Sequence, residues 1–111
     1  FQLPHLNKGL SNWVIYKHRV ATVIRSYGLG RHLEGNARLP KQVTERDGEF
    51  YLAGSSLSLT NDEYDKHMNE QDVYDAKEAQ VREIIYQTIP LSLYVRVKDK
   101  ATAHDTWKEL C

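Results

Sequence analysis

The sequence has very little cysteine and no long apolar run. Its single cysteine is Cys111, so no disulfide can close within the chain and no thiolate metal site can form. Such a chain suits a reducing compartment, and we expect a cytoplasmic location. No stretch approaches the ~18 apolar residues that a membrane-spanning helix needs. We therefore expect no membrane partner.

An excess of charge of either sign is also missing. Fifteen basic and fifteen acidic residues cancel, and the isoelectric point lies near 7.1. A domain that grips nucleic acid through its phosphates carries a basic surface. We therefore expect this segment alone not to bind RNA or DNA.

The composition and length indicate one soluble globular domain over residues 1–111. The sequence is 41% hydrophobic and 27% charged, which is typical of a chain with a packed core. It starts without methionine and stops within the helical pattern of WKELC. These two features predict a fragment of a longer polypeptide.

Two helical segments are predicted in the first 40 residues. Ser11 or Asn12 is placed to cap a helix whose apolar residues recur close to the 3.6-residue period, and a glycine follows its end. Leu29 and Leu33 lie four residues apart. This spacing predicts one further helical turn that places both side chains in the core.

The periodicity fades over residues 41–59, where we expect a long loop. DGEFYLAGSS offers two glycine-containing turns around an apolar triplet, so the sequence predicts at most a marginal hairpin here. A long connection without regular structure is uncommon in a compact domain. Either it carries a function, or Phe50 and Leu52 tie it to the core as a short extended segment.

The second half of the sequence predicts three more helices. Thr60 and Glu63 have the spacing of a capping box at the start of the longest helix. Pro90 ends that helix, because proline lacks the backbone donor and clashes with the preceding turn, yet it suits the start of a short helix in LSLYVRVK. Thr102 and Asp105 repeat the capping-box spacing before a last helix.

These segments together predict an all-α fold, a compact bundle of about five helices with a long loop after the second, short helix. Trp13 and Trp107 are expected to be largely buried and close together, so that the first and last helices lie side by side. The structural core is predicted from the apolar positions that share the inward helix faces: Trp13, Tyr16, Val20, Ile24, Leu29, Leu33, Val81, Ile84, Ile85, Trp107 and Leu110.

No pattern in the sequence predicts a catalytic, cofactor or metal site. No two of the five histidines are three to five residues apart, which disfavours a zinc site on a helix. NDEYDKHMNEQD lacks the central glycine of a calcium loop, and GLGRHLEG lacks the third glycine of a dinucleotide loop and follows a helix. The loop serines have no activating base nearby in the sequence. We expect no enzyme activity and no small-molecule substrate.

The order of the motifs resembles the Gag polyprotein of copia-type LTR retrotransposons, over nearly the whole chain. In that family an Asn-Trp pair opens a helix, a Gly-Leu and a later Gly follow, an Ala-x-x-x-Ile helix precedes a Pro, and an Ala-x-x-x-Trp element closes the segment. The corresponding residues here are Asn12, Trp13, Gly28, Leu29, Gly35, Ala79, Ile84 at a looser five-residue step, Pro90, Ala103 and Trp107.

The sequence departs from the family pattern in two respects. Family members often continue into a second helical lobe and a Cys-His zinc knuckle that binds RNA, and this sequence has neither. It would correspond to the N-terminal lobe of the capsid region. The acidic and aromatic loop over residues 44–59 is longer than the minimal pattern, so the resemblance assigns it no role.

The resemblance implies a structural function, in which copies of the chain self-associate to build a virus-like particle around the element's RNA. Weak homotypic contacts suffice for this because they are repeated many times. The alternative is a domesticated Gag-like host protein, a monomeric adaptor that binds a peptide in a groove between helices.

Charge pattern suggests where copies would meet. The outer side of the first helix carries Lys17, His18 and Arg25, and the start of the long helix carries Glu63, Asp65 and Glu70. We predict that these two oppositely charged sets form the self-association surface, steering register more than supplying affinity.

Overall fold

The computed structural model describes residues 5–7 and 9–110. Cys111, from which a reducing compartment was predicted, lies outside these residues. The described residues form five helices and one two-stranded sheet. In chain order these are α1 (Trp13–Ser26), α2 (Gly30–Glu34), β1 (Val43–Arg46), β2 (Glu49–Leu52), α3 (Asn61–Thr88), α4 (Leu91–Val97) and α5 (Ala103–Leu110). The predicted helical character and the number of helices are confirmed.

The chain divides into two compact units. Unit 1 comprises Phe1–Ala37 and Lys77–Cys111, and unit 2 comprises Arg38–Ala76. Helix α3 begins in unit 2 and ends in unit 1. None of the described helices is both long enough and apolar enough to cross a membrane.

Unit 1 holds the apolar core, which α1, α2, α3 and α5 all line. Most of the predicted core residues are buried there: Tyr16, Val20, Ile24, Leu29, Leu33, Val81, Ile84, Ile85 and Trp107. Trp13 and Leu110 are half-buried and pack against this cluster. The rings of Trp13 and Trp107 lie 6.3 Å apart between centroids, so the two ends of the sequence meet in unit 1.

A buried hydrogen bond joins α1 to the end of α3. The hydroxyl groups of Tyr16 and Thr88 are 2.8 Å apart, and Thr88 also donates to carbonyls of the preceding turn of α3. Burial raises the pKa of Tyr16 to about 12, an effect that its bond to Thr88 partly offsets. The folded unit therefore favours the neutral phenol.

The segment before α1 is held in place by Asn12. Although Asn12 occupies the N-cap position, its side chain makes no capping bond; it accepts from the Asn7 backbone N–H at 2.9 Å and donates to the His5 carbonyl at 2.8 Å. Leu6, between these two residues, is buried and donates its N–H to the Thr88 carbonyl at 2.7 Å. The predicted side-chain cap of α1 is replaced by a clamp on the preceding segment.

Unit 2 contains a β-hairpin where the sequence predicted a long loop. Strands β1 and β2 pair antiparallel, with Val43 opposite Leu52 and Arg46 opposite Glu49. Asp47 and Gly48 both have positive φ, at 51° and 80°, which is the type I′ turn that an Asp-Gly pair favours. The sequence predicted a long loop with at most a marginal hairpin over residues 49–55. The hairpin that forms lies over residues 43–52 instead, because the Asp-Gly pair sets the position of the turn.

The hairpin is attached to the start of α3 by one aromatic contact. The rings of Phe50 and Tyr64 lie 4.3 Å apart between centroids. At the helix start, Thr60 accepts from the Glu63 N–H at 3.2 Å, and Glu63 accepts from the Thr60 N–H at 3.0 Å. This is the predicted capping box, and the hydrogen bonds from Thr60 hold the pKa of the Glu63 carboxyl below its usual range.

Candidate self-association surfaces

The outer face of α1 is a cationic surface in unit 1. The helix contains no acidic residue, and Lys17, His18 and Arg19 are all exposed. Its buried positions follow the helical period through Tyr16 and Val20, so the residues between them turn away from the core. This face carries charge of one sign over its whole length.

Two apolar side chains lie on the same face. Val14 is 78% exposed and Ile15 is 65% exposed, one turn before the cations. Sequence reasoning missed both, although the helical period contains the signal: once Trp13 and Tyr16 face the core, the two residues between them must face away. Exposed apolar residues surrounded by charge are typical of the centre and rim of a protein interface.

Arg25, at the end of α1, already has a partner within unit 1. Its guanidinium lies 2.8 Å from the Glu34 carboxylate at the end of α2, and both side chains are about half exposed. Lys17 and His18 have no such partner among the described residues. Of the three predicted basic residues, Lys17 therefore has its charge available to another molecule, and His18 has its imidazole available.

The predicted acidic set lies in unit 2, on the first half of α3. Glu63 is engaged in the capping box, and Glu70 lies 3.7 Å from the Nδ1 of His67. Asp65 is exposed and has no partner among the described residues. Each of these three carboxylates stands on a helix surface that faces solvent, but two of them also serve local structure.

The basic set thus lies on unit 1 and the acidic set on unit 2. Within one copy they are two patches of opposite sign. Contact between the basic patch of one copy and the acidic patch of another remains a prediction.

A buried polar cluster in unit 1 was not predicted. Glu78 is 8% exposed; one carboxylate oxygen accepts the Ala103 N–H at the start of α5 at 2.9 Å, and the other lies 3.4 Å from the Nδ1 of His32. Glu78 sits on the same helical stripe as Val81 and Ile85, so its position was readable from the sequence. Its burial was not, because an isolated carboxylate avoids such a place.

The end of α2 packs against α5 through a glycine. Gly35 has a φ of 79°, and a Cβ built on it would lie 2.8 Å from the ring of His104. His104 donates from Nδ1 to the Leu33 carbonyl at 3.0 Å. Both the backbone conformation and the close approach therefore require glycine at this position.

A shallow apolar groove lies between the end of α3 and α4, also in unit 1. Its volume is about 400 Å³, and it is lined by Glu83, Tyr86, Gln87, Ile89, Leu91 and Tyr94. The rings of Tyr86 and Tyr94 meet edge to face, with centroids 5.0 Å apart. Leu91 is 75% exposed at its rim.

Among residues 5–7 and 9–110, no group of three or more His, Cys, Asp or Glu side chains is placed to hold a metal ion. The polar contacts described above have structural roles. One binds a backbone N–H at the start of α5, one binds a backbone carbonyl near the end of α2, and one is an exposed ion pair.

Comparison with known proteins identifies no relative of this chain. No family model matches it, and no match was found among curated proteins or among solved structures.

Proposed function

We propose that the chain is the N-terminal capsid lobe of a copia-type Gag, a structural protein without catalytic activity that works by self-association. The observation that carries this proposal is the meeting of the motif residues in one core. Leu29, Ala103 and Trp107 are buried in it, and Trp13 packs against it, although they span most of the sequence. These residues were selected only by their spacing in the sequence, through the resemblance to Gag, and they pack together in one core.

The outer face of α1 is the surface that supports self-association best. Val14 and Ile15 provide apolar area, and Lys17 and His18 provide charges that no described residue neutralises. Apolar contact would supply the affinity of such an interface, while the charges would select a partner surface of opposite sign. The first half of α3 in a second copy is such a surface.

In this proposal the protein acts in the cytoplasm and leaves RNA binding to other parts of the polyprotein. The neutral net charge supports that division, since phosphate binding needs a basic excess. Each contact between copies is expected to be weak, because particles form from many repeated interfaces.

The groove between α3 and α4 favours a second candidate function, that of a monomeric adaptor. It is concave, mostly apolar and edged by tyrosines, which are common at peptide-binding surfaces. An adaptor would stay monomeric when concentrated and would bind one peptide through this groove.

Sedimentation velocity over a concentration series separates the two functions. The capsid proposal predicts a monomer at micromolar concentration and reversible association near millimolar concentration, with assemblies visible by electron microscopy. A chain that stays monomeric at every concentration would contradict it.

Apolar substitution on α1 tests the surface itself. Val14→Ser should weaken association by about 1 kcal/mol, since it exposes less apolar area for burial. Leu57→Ser is the matched control, because Leu57 in unit 2 is 79% exposed and Val14 is 78% exposed. Equal loss in both variants would show that α1 is not the contact.

Charge reversal tests the cationic part of the same surface. Lys17→Glu together with His18→Glu should weaken association and remove most of its salt dependence. Arg25→Gln is the control, because the charge of Arg25 is already paired with Glu34. A larger loss from Arg25→Gln than from the double variant would place the contact elsewhere.

A further inference from the structure

Strand β1 has an edge whose backbone groups are not hydrogen-bonded. Ala53 donates its N–H to the Gln42 carbonyl at 2.9 Å, which marks these two residues as a hydrogen-bonded pair. Such pairs recur at every second residue of an antiparallel ladder, so Thr44 also faces β2. Val43 and Glu45 turn their N–H and C=O groups away from β2, and no described residue bonds to them.

The opposite edge of the hairpin is already covered. Leu59 donates its N–H to the Phe50 carbonyl at 2.7 Å, and Tyr51 forms an antiparallel bridge with Ser58. The chain therefore closes the edge of β2 with its own following segment. Within the described residues β1 is the one open edge of the sheet.

We propose that β1 is a second contact between copies of this chain, pairing antiparallel with β1 of another copy about Thr44. The proposal rests on the self-association proposed above and names a site for it in unit 2. With Thr44 opposite Thr44 of the second copy, Val43 meets Glu45 on both sides of the symmetry axis. Each of these two pairs exchanges two backbone hydrogen bonds, and every outward group of the edge is used.

The charges beside the strand fit this register. Continuing the pairing outward places Lys41 of each copy opposite Asp47 of the other, since these two residues flank Thr44 at equal distance in sequence. Opposite charges in facing positions stabilise a strand pair, and two facing threonines also pair favourably. If the pairing shifted by one residue toward the turn, Glu45 of one copy would lie opposite Glu45 of the other. This register is unfavourable because the two like charges repel.

Such an edge contact is short, which gives it a defined role. A four-residue edge with charged side chains does not hold two proteins together alone. The strand contact strengthens association once another interface has brought copies together, because it then forms within one assembly. The contact therefore supplies register between copies and little affinity.

Amide hydrogen exchange on the 111-residue chain locates the contact. The N–H groups of Val43 and Glu45 should exchange rapidly at micromolar concentration and at least about tenfold more slowly at concentrations where the chain associates. The Ala53 N–H is the internal reference, since it is bonded within the hairpin at any concentration. Unchanged exchange at Val43 and Glu45 in the associated chain would overturn the proposal.

Glu45→Pro removes the outward donor, and Glu45→Gln removes the charge but keeps the donor. Proline is tolerated on an edge strand where the N–H faces solvent, so the hairpin should persist. The proline variant should associate about tenfold more weakly, because the lost bond occurs twice in a symmetric pair. The glutamine variant should associate as well as the original chain.

Lys41→Glu supplies a second variant outside the strand. It sets a carboxylate against Asp47 of the second copy and should weaken association about threefold. If Glu45→Pro disrupts the hairpin, shown by loss of Ala53 protection, Lys41→Glu decides the question. Normal association of the testable variant refutes the edge contact and leaves the proposed function standing, whereas absence of association in the original chain refutes both.

Discussion

The two units of this protein are stabilised in different ways. All of the buried residues identified in the structure lie in unit 1, where four helices converge on two tryptophans, whereas residues 38–76 of unit 2 contain no buried residue. The contacts of unit 2 include a tight turn, a capping box, the stacking of Phe50 on Tyr64 and the guanidinium of Arg46 over the Tyr51 ring. Buried apolar area supplies most of the stability of a fold, so unit 2 should open locally at lower free energy than unit 1.

This difference suits the two contact surfaces proposed above, the outer face of α1 in unit 1 and the edge of β1 in unit 2. A rigid unit 1 presents the face of α1 in a fixed position, and a softer unit 2 presents a strand edge that can adjust to a neighbour. The comparison can be tested by removing one stabilising element at a time from each unit.

The largest effect is expected from the aromatic contacts. Trp107→Ala should lower the free energy of unfolding by about 3–5 kcal/mol, because the indole is buried and contacts Trp13 and Tyr16. Phe50→Ala, in unit 2, should lower it by about 1 kcal/mol or less, since the ring is only half-buried, with Tyr64 against it. Denaturant unfolding measures both. Equal losses would contradict the distinction between the units.

The next effect is alkaline loss of unit 1 through Tyr16. Because the folded state raises its pKa from 10.0 to about 12, the stabilisation is complete below pH 10 and is lost as the pH rises through 12. The loss should reach about 2–3 kcal/mol. Tyrosinate absorbance should show one late-titrating group, and Tyr16→Phe is the control that must remove it. Persistence of that component in the phenylalanine variant would assign it to another tyrosine.

Two carboxylates of α3 compare the units along a single helix. Glu78→Ala should cost about 1–3 kcal/mol, because it leaves the Ala103 N–H buried without its acceptor. Asp75→Ala should change stability by less than about 0.5 kcal/mol, since Asp75 is exposed and accepts only from the Gln71 side chain. Thermal unfolding of the two variants is the measurement. A cost at Asp75 equal to that at Glu78 would mean that unit 2 contributes to the global transition.

The most local effects come from the two threonine caps. Thr102→Ala and Thr60→Ala each remove a hydroxyl that accepts from the third residue of a helix, at 3.0 Å from the Asp105 nitrogen and 3.2 Å from the Glu63 nitrogen. Each cap is worth about 1 kcal/mol. In unit 1 this should appear as a lower global free energy of unfolding, and in unit 2 as faster amide exchange in the first turn of α3. A global loss from Thr60→Ala would couple that turn to the core of unit 1.

Helices were predictable because their signals are local. The capping box at Thr60, the threonine cap at Thr102 and the stop at Pro90 act within one or two turns. The structure contains all three where the sequence predicts them, but at Thr102 only the bond from the Asp105 N–H to the threonine hydroxyl forms. The hairpin was also encoded locally, by the Asp-Gly turn at residues 47 and 48, but its strands lack the alternation that identifies a strand. For that reason the sequence predicted at most a marginal hairpin here and did not predict that its first strand begins at Val43.

The candidate surfaces were predictable only in part. Lys17 and His18 are exposed, as a charged helix face should be, but the partner of Arg25 comes from α2 and could not be read from α1. Ion pairs between elements depend on where the elements meet. For the same reason the sequence predicts that Glu78 lies on the inward stripe of α3, but not that the start of α5 meets its carboxylate there.

By itself the sequence determined the helices, the threonine caps of α3 and α5 and the apolar stripes that face the core, since these depend on residues within a few positions of one another. Only the tertiary structure decided that every buried side chain identified here lies in unit 1, that Asn12 clamps the segment before α1 instead of capping it, and that the edge of β1 is left open. Each of these depends on which distant residues come into contact. Burial and hydrogen-bond pairing across the fold are properties of the packed chain, and no local pattern encodes them.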